Sequence, residues 1–140
     1  MQGLEAAERQ ALLEAARAVQ KHAYAPASNF RVGAAVMASD GRIFVGCNVE
    51  NASYGLTICA ERAAVCAAVA AGARTLRAVA VVTDLAAPAR PCGACRQVLA
   101  EFGLGMDVLL GGRDGAEERT TLDRLLPEPF TFADVHRGTS

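Results

Sequence analysis

An excess of either charge is missing from this sequence. Its 140 residues carry fourteen basic and fifteen acidic side chains, a formal net charge of -1. Without a basic excess nothing neutralises a phosphate backbone, which argues against a dedicated polynucleotide binder. Long hydrophobic runs are missing as well: no window approaches the roughly 18 continuous apolar residues of a membrane span. Met1-Gln2-Gly3-Leu4-Glu5 lacks the basic stretch and apolar core of a secretory signal. The expectation is a soluble, cytoplasmic protein with no membrane partner. Internal repeats, charge blocks and long linkers are also absent, and the length suits one domain over residues 1–140. With 52% hydrophobic and 21% charged residues, intrinsic disorder is excluded. About a fifth of the chain is alanine, which fits helices and close packing but says little about depth of burial.

The pattern predicts an α/β protein. Between Leu4 and His22, apolar residues at spacings of three and four (Leu4, Ala7, Ala11, Leu12, Ala15, Ala18, Val19) give an amphipathic helix. Pro26 and Ser28-Asn29 end that pattern. Phe30–Met37 and Ile43–Cys47 flank an Asp40-Gly41 turn and read as a hairpin. Asn48–Thr57 is polar and reads as a loop. Cys59–Ala71 is an alanine-rich helix stopped by Gly72. Leu76–Thr83 is a buried strand. Pro91 suits the first turn of a helix over Cys92–Phe102. Met106–Leu110 is a strand, 111–115 a turn, and the remainder a short strand, a small helix near Leu122–Leu126 and a tail. Together these elements form a mixed sheet with helices on both faces.

Five cysteines are an odd number, and disulfides are scarce in reducing cytosol, so metal or thiol chemistry is the better expectation. In Pro91-Cys92-Gly93-Ala94-Cys95 the two sulfurs sit on one helical face, about 5–6 Å apart. The positive end of the helix favours the thiolate. Alone, this spacing fits half a structural zinc site, a redox dithiol or two packed cysteines. Cys59 adds a third thiol at the start of another helix. Two helices that both start at the carboxyl end of adjacent strands bring their N-termini to one rim of a sheet. Cys66 lies about 10 Å further along the same helix, too far to share an ion with Cys59. It and Cys47 read as small packed residues. Three ligands, with neither His22 nor His136 at a zinc-binding spacing, describe an open, catalytic type of site. Glu61, elsewhere an ordinary helix-dipole partner, becomes a proton carrier beside an open metal position.

Cys59-Ala60-Glu61 followed by Pro91-Cys92-Gly93-Ala94-Cys95 resembles the signature of the zinc-dependent cytidine deaminase superfamily, an established pattern. The likeness extends over Phe30–Ala35, Gly46–Tyr54, Ile58–Arg62 and Leu125–Phe130, nearly the whole chain in family order. It is to the small homotetrameric, nucleoside-specific branch, which carries cysteine at the first ligand position. The resemblance implies a three-layer α-β-α domain with a mixed, roughly five-stranded sheet. It implies one zinc ion per subunit held by Cys59, Cys92 and Cys95, with water or hydroxide in the fourth position. Glu61 would carry a proton from that water to the pyrimidine N3 and then to the departing amine. Arg62 and Gln97 would donate hydrogen bonds to the thiolates, restoring Lewis acidity that three negative sulfurs weaken. Asn48 and Glu50 would hold the ribose hydroxyls. Phe30 would line the base pocket and the Ala60 backbone would meet the base amide edge, with Tyr54 nearby. Phe130 would complete a neighbouring subunit's pocket.

The implied activity is hydrolytic deamination of cytidine and 2'-deoxycytidine in pyrimidine salvage. The runner-up is a deaminase of a modified cytosine nucleoside such as blasticidin S. A redox dithiol explains neither Cys59 nor Glu61, and a structural zinc module has no use for Glu61 as a base.

Overall fold

The computed structural model describes residues 3–136. The first helix, α1, spans Ala6–Gln20, two residues shorter at each end than its apolar period. Glu5 and Glu8 close its N-terminus as a reciprocal capping box, the Glu5 amide donating to Glu8 Oε1 at 3.0 Å. The expected hairpin follows as β1, Gly33–Ala38, and β2, Ile43–Cys47. Gly41 turns it with φ +92°, a conformation that suits glycine. Next come α2 at Ala60–Ala70, β3 at Leu76–Val82 and α3 at Gly93–Ala100. The chain then forms β4 at Asp107–Gly111, β5 at Glu117–Thr121, α4 at Leu122–Leu125 and α5 at Phe132–His136.

The five strands make one mixed sheet in the order β2-β1-β3-β4-β5, in which only β3 and β4 are parallel. Central β1 is buried at all six positions because both of its faces are covered. Ala35 and Met37 join Ala78, Ala80, Val82 and Leu109 beneath Leu12, Leu13 and Ala16 of α1. Ala34, Val36 and Ala38 pack on the other face with Ala60, Ala64, Val65 and Ala68 of α2 and Leu99 of α3. The result is the expected α-β-α layering.

Register decides where the helices begin. Gly33 of β1 pairs with Cys47 on one side and Val82 on the other. Strands β2 and β3 therefore run the same way and end level, with β1 between them. The sequence reading, which treated the strands feeding α2 and α3 as adjacent, is corrected on this point. Gly46 lets α2 sit close to β2: a Cβ there would lie 2.4 Å from Ala64 N and 2.6 Å from Ala60 O. Any side chain at 46 would push the first turn of α2 off the sheet.

Other expectations need adjustment. Pro91 precedes the N-cap of α3 instead of opening the helix, because Cys92 is itself extended (φ −65°, ψ 167°) and serves as the cap. Cys66 is exposed in the single chain, since α2 turns Ala60, Ala64, Val65 and Ala68 inward and leaves position 66 on the far side. The segment read as a tail contains α5, where the rings of Phe132 and His136 stack at 6.1 Å. The polar loop 48–57 is tied down at both ends. Val49 and Ile58 exchange backbone hydrogen bonds of 2.9 Å, and Tyr24 bonds to Asn48 and Glu50. Among the described residues no helix is long and apolar enough to cross a membrane.

Candidate active site

Each candidate metal ligand sits on a helix start for a backbone reason. Cys59 is the N-cap of α2, held in place because the preceding Ile58 is bridged to Val49. Cys92 is the N-cap of α3 and Cys95 lies one turn in. The three sulfurs fall within 4.8 Å of one another, and those of Cys92 and Cys95 are 3.4 Å apart. Tetrahedral zinc–sulfur bonds of about 2.3 Å require sulfurs roughly 3.8 Å apart, so the cluster fits zinc. It is the only group of three or more metal-ligating side chains found among the described residues. His22, His136 and Cys47 stay outside it, so three side chains make up the group that could hold an ion.

Electrostatics distinguish the thiols. Burial pushes Cys59 and Cys95 above the ordinary thiol range. Burial also opposes ionisation of Cys92, but hydrogen bonds from the Cys95 amide and the neighbouring thiols outweigh it and bring Cys92 down. Glu61, in the first turn of α2, is 5% exposed. Burial raises its carboxyl above the usual range, only partly offset by its own amide and the Cys95 thiol. A carboxyl moved upward in this way takes and returns protons more readily near neutrality.

Above the sulfurs lies a cavity of about 230 Å³, lined by Phe30, Asn48, Ala60 and Glu61 together with Cys59 and Cys92. Asn29 adopts a left-handed conformation (φ +57°), one that asparagine tolerates, and so turns the chain into Phe30. Asn48 is buried. Its Nδ2 donates to Phe30 O at 2.7 Å and its Oδ1 accepts from Val32 N at 2.8 Å. Each end of the amide has thus made one bond and retains capacity for one more.

The remaining expected substrate residues are not gathered here in a single chain. Glu50 and Tyr54 line a separate surface cleft with Tyr24. Glu50 accepts from the amides of Ala27 and Ser28 (2.8 and 3.1 Å) and from the Ser28 hydroxyl. That hydroxyl is the main reason its carboxyl is held below the usual range. Tyr54 stands on a short 3-10 turn and is 76% exposed. Phe130 lies beside Phe132 in a third cleft, also exposed.

Gln97 holds the C-terminal segment: its Nε2 donates to Phe130 O at 2.7 Å and its Oε1 accepts from Phe130 N at 3.3 Å, which leaves the second Nε2 hydrogen available. Arg62 is exposed and makes neither an ion pair nor a hydrogen bond among the described residues. The sequence reading missed Arg96, which bonds to backbone on both sides of α3. Its only signal was a cation one residue past a ligand.

Residues 6–110 match the family model described as the cytidine and deoxycytidylate deaminase zinc-binding region. A cytidine deaminase of Sporosarcina psychrophila is 48% identical over 125 residues, covering 89% of this chain and 92% of that protein. A cytidine deaminase of Mycobacterium tuberculosis is 48% identical over 115 residues, covering 82% of this chain and 84% of that protein. The crystal structure of cytidine deaminase from Burkholderia pseudomallei superposes with a TM-score of 0.83 at 52% identity, covering 86% of this chain and 98% of that one.

Proposed function

The chain belongs to the cytidine and deoxycytidylate deaminase family, and on that premise we propose how its own residues deaminate cytidine and 2'-deoxycytidine. The observation that carries the reading is a buried Glu61 beside three converging sulfurs, at the base of a cavity lined by Phe30 and Asn48. Cys59, Cys92 and Cys95 would hold zinc, which when bound supplies the Lewis acidity that activates a water for attack. Glu61 accepts a proton from the attacking water and delivers it to the pyrimidine N3. Protonation there makes C4 electrophilic, and the water oxygen adds to C4. Glu61 then carries the second proton to the exocyclic nitrogen, so that ammonia leaves and the uracil carbonyl forms. A carboxyl whose burial favours the protonated form suits both transfers.

Phe30 packs on the base, and the free backbone amide at the start of α2, at Ala60, meets its amide edge. Asn48, with one donor and one acceptor still available, holds a ribose hydroxyl, and Glu50 the next. Arg62 donates to the thiolates. Its side chain has no competing partner among the described residues, and Gln97, anchored on Phe130, offers its second amide hydrogen to the thiolates.

The functional unit is a homotetramer. A cavity of about 230 Å³ falls below the roughly 300–1,000 Å³ usual for small-molecule sites, which supports completion by another copy. Tyr24, Val49, Tyr54, Leu56 and Ile58 are all exposed apolar side chains on the same bridged segment, and Phe130, Phe132 and Val135 form a second exposed group. Patches of this kind mark association surfaces. Cys66 and Ala67 on the outer side of α2 give the alanine-rich helix a surface for close helix contact. Light scattering at micromolar concentration should report four chains. A monomer would remove the shared-pocket role given to Phe130 and Tyr54.

One domain over residues 1–140, cytoplasmic and serving pyrimidine salvage, completes the reading. It is supported by the single sheet and by a substrate that is a free nucleoside. No feature among the described residues favours blasticidin S over plain nucleosides. Metal analysis should find about one zinc per chain, and absorbance should fall when cytidine or deoxycytidine is added. Failure on both nucleosides would overturn the assignment, and zinc-free active protein would overturn the metal centre.

A further inference from the structure

Arg96 makes three contacts, two of which bracket Cys92. Its backbone amide donates to Cys92 O at 3.0 Å, the first turn of α3. Its side-chain Nε donates to Pro91 O at 2.8 Å. One residue thus holds the carbonyls on both sides of the Cys92 Cα and fixes the direction in which its thiol leaves the backbone. The third contact, from Nη1 to Leu125 O at 2.9 Å, satisfies a carbonyl at the end of α4. From there the chain runs to Phe130, whose backbone is held by the next residue, Gln97. Pro91 is fully buried and Arg96 partly so, so water is a poor substitute for the guanidinium at these carbonyls. A planar fork with donors in two directions serves both acceptors at once, which an ammonium group does not.

We propose that Arg96 is a positioning residue of the zinc centre: it locks Cys92 in its ligand orientation and ties that ligand to the C-terminal segment bearing Phe130. The inference rests on the assignment of Cys92 as a zinc ligand. Groups that orient a ligand typically change metal affinity by about 10- to 100-fold when lost.

The test is the rate at which zinc passes from the intact holoprotein to a chromophoric chelator. Arg96→Ala, which loses both side-chain contacts, should release zinc about 10- to 100-fold faster than wild type, and Arg96→Lys, keeping one side-chain contact, should fall between them. Arg74 is the control. It also donates two bonds to backbone carbonyls, Val69 O at 3.0 Å and Ala73 O at 2.8 Å, but at the opposite end of α2. Arg74→Ala should release zinc at the wild-type rate even where its Tm falls. If Arg96→Ala does not fold, Arg96→Lys against Arg74→Ala decides the matter. Wild-type release from the Arg96 variants overturns the proposal, as does equal acceleration by Arg74→Ala, which would make the effect one of general stability. Cys92→Ala separates the two levels. If that variant keeps its zinc, the ligand assignment fails and this inference with it. If it is zinc-free while the Arg96 variants behave as wild type, only the inference fails.

Discussion

Glu61→Ala should leave a folded, zinc-loaded protein whose turnover of cytidine falls by at least about a thousandfold. General acid–base catalysis by one positioned group is worth roughly 10²–10⁴, and here one carboxyl serves two proton transfers. Its position makes substitution by water inefficient. Glu61 is buried at the start of α2, so a water entering the vacated space has neither its proton affinity nor its orientation. Metal content separates this result from a structural one: zinc per chain should match wild type while kcat drops. A loss of less than tenfold would contradict the role assigned to Glu61.

Glu61→Gln adds a thermodynamic signature. Burial raises the Glu61 carboxyl above the usual carboxylate range, so the folded chain binds this proton more tightly than the unfolded chain. Any stability from this group is therefore complete below about pH 4.5 and is lost as pH rises through the folded value. The glutamine variant carries no such dependence. Stripped of metal, it should unfold at a higher Tm than wild type at neutral pH, and the difference should shrink as the pH falls through the folded value of Glu61 and level off below about pH 4.5.

Cys92→Ala should purify with less than about a tenth of a zinc per chain and lose on the order of 10 °C in Tm. Two thiols, both pushed upward by burial, remain where three converged, and the thiol most readily ionised is the one removed. Zinc at about a thousand times its Kd contributes about 4 kcal/mol to the folded state, and each kcal/mol moves the Tm of a domain this size by roughly 3–5 °C. Cys66→Ser removes a thiol from the outer side of α2 and should leave the zinc content unchanged. Normal zinc occupancy in Cys92→Ala would refute the ligand assignment.

Local pattern was a good guide wherever a short stretch of chain decides its own structure. The Asp40-Gly41 turn, the stop at Gly72 (φ +99°) and the two helix starts at cysteine appear where their residue types put them. The set Cys59, Glu61, Cys92 and Cys95 was equally legible, because ligand spacing on a helix follows from 3.6 residues per turn. Failures came where a distant segment intervenes. Cys66 was taken as packed because cysteine usually is, yet the neighbours that would cover it are absent from a single chain. Residues 48–57 form the expected loop, but nothing in its polar composition shows that Val49 is bridged to both Tyr24 and Ile58. The hold of Gln97 on Phe130, 33 residues on, has no local signal either.

The sequence by itself determined the chemistry: which side chains can bind zinc, which carboxyl can move a proton, and that a helix N-terminus presents each thiol. These depend on residue type and on spacings within a turn or two. Only the tertiary structure decided that the two helix starts face one another. That outcome follows from the level ends of β2 and β3 on either side of β1, from the missing Cβ at Gly46 that admits α2, and from Arg96 reaching across to Leu125. Each is a contact between segments far apart in the chain, set by strand register and by packing against a shared core. No local pattern encodes where such partners meet.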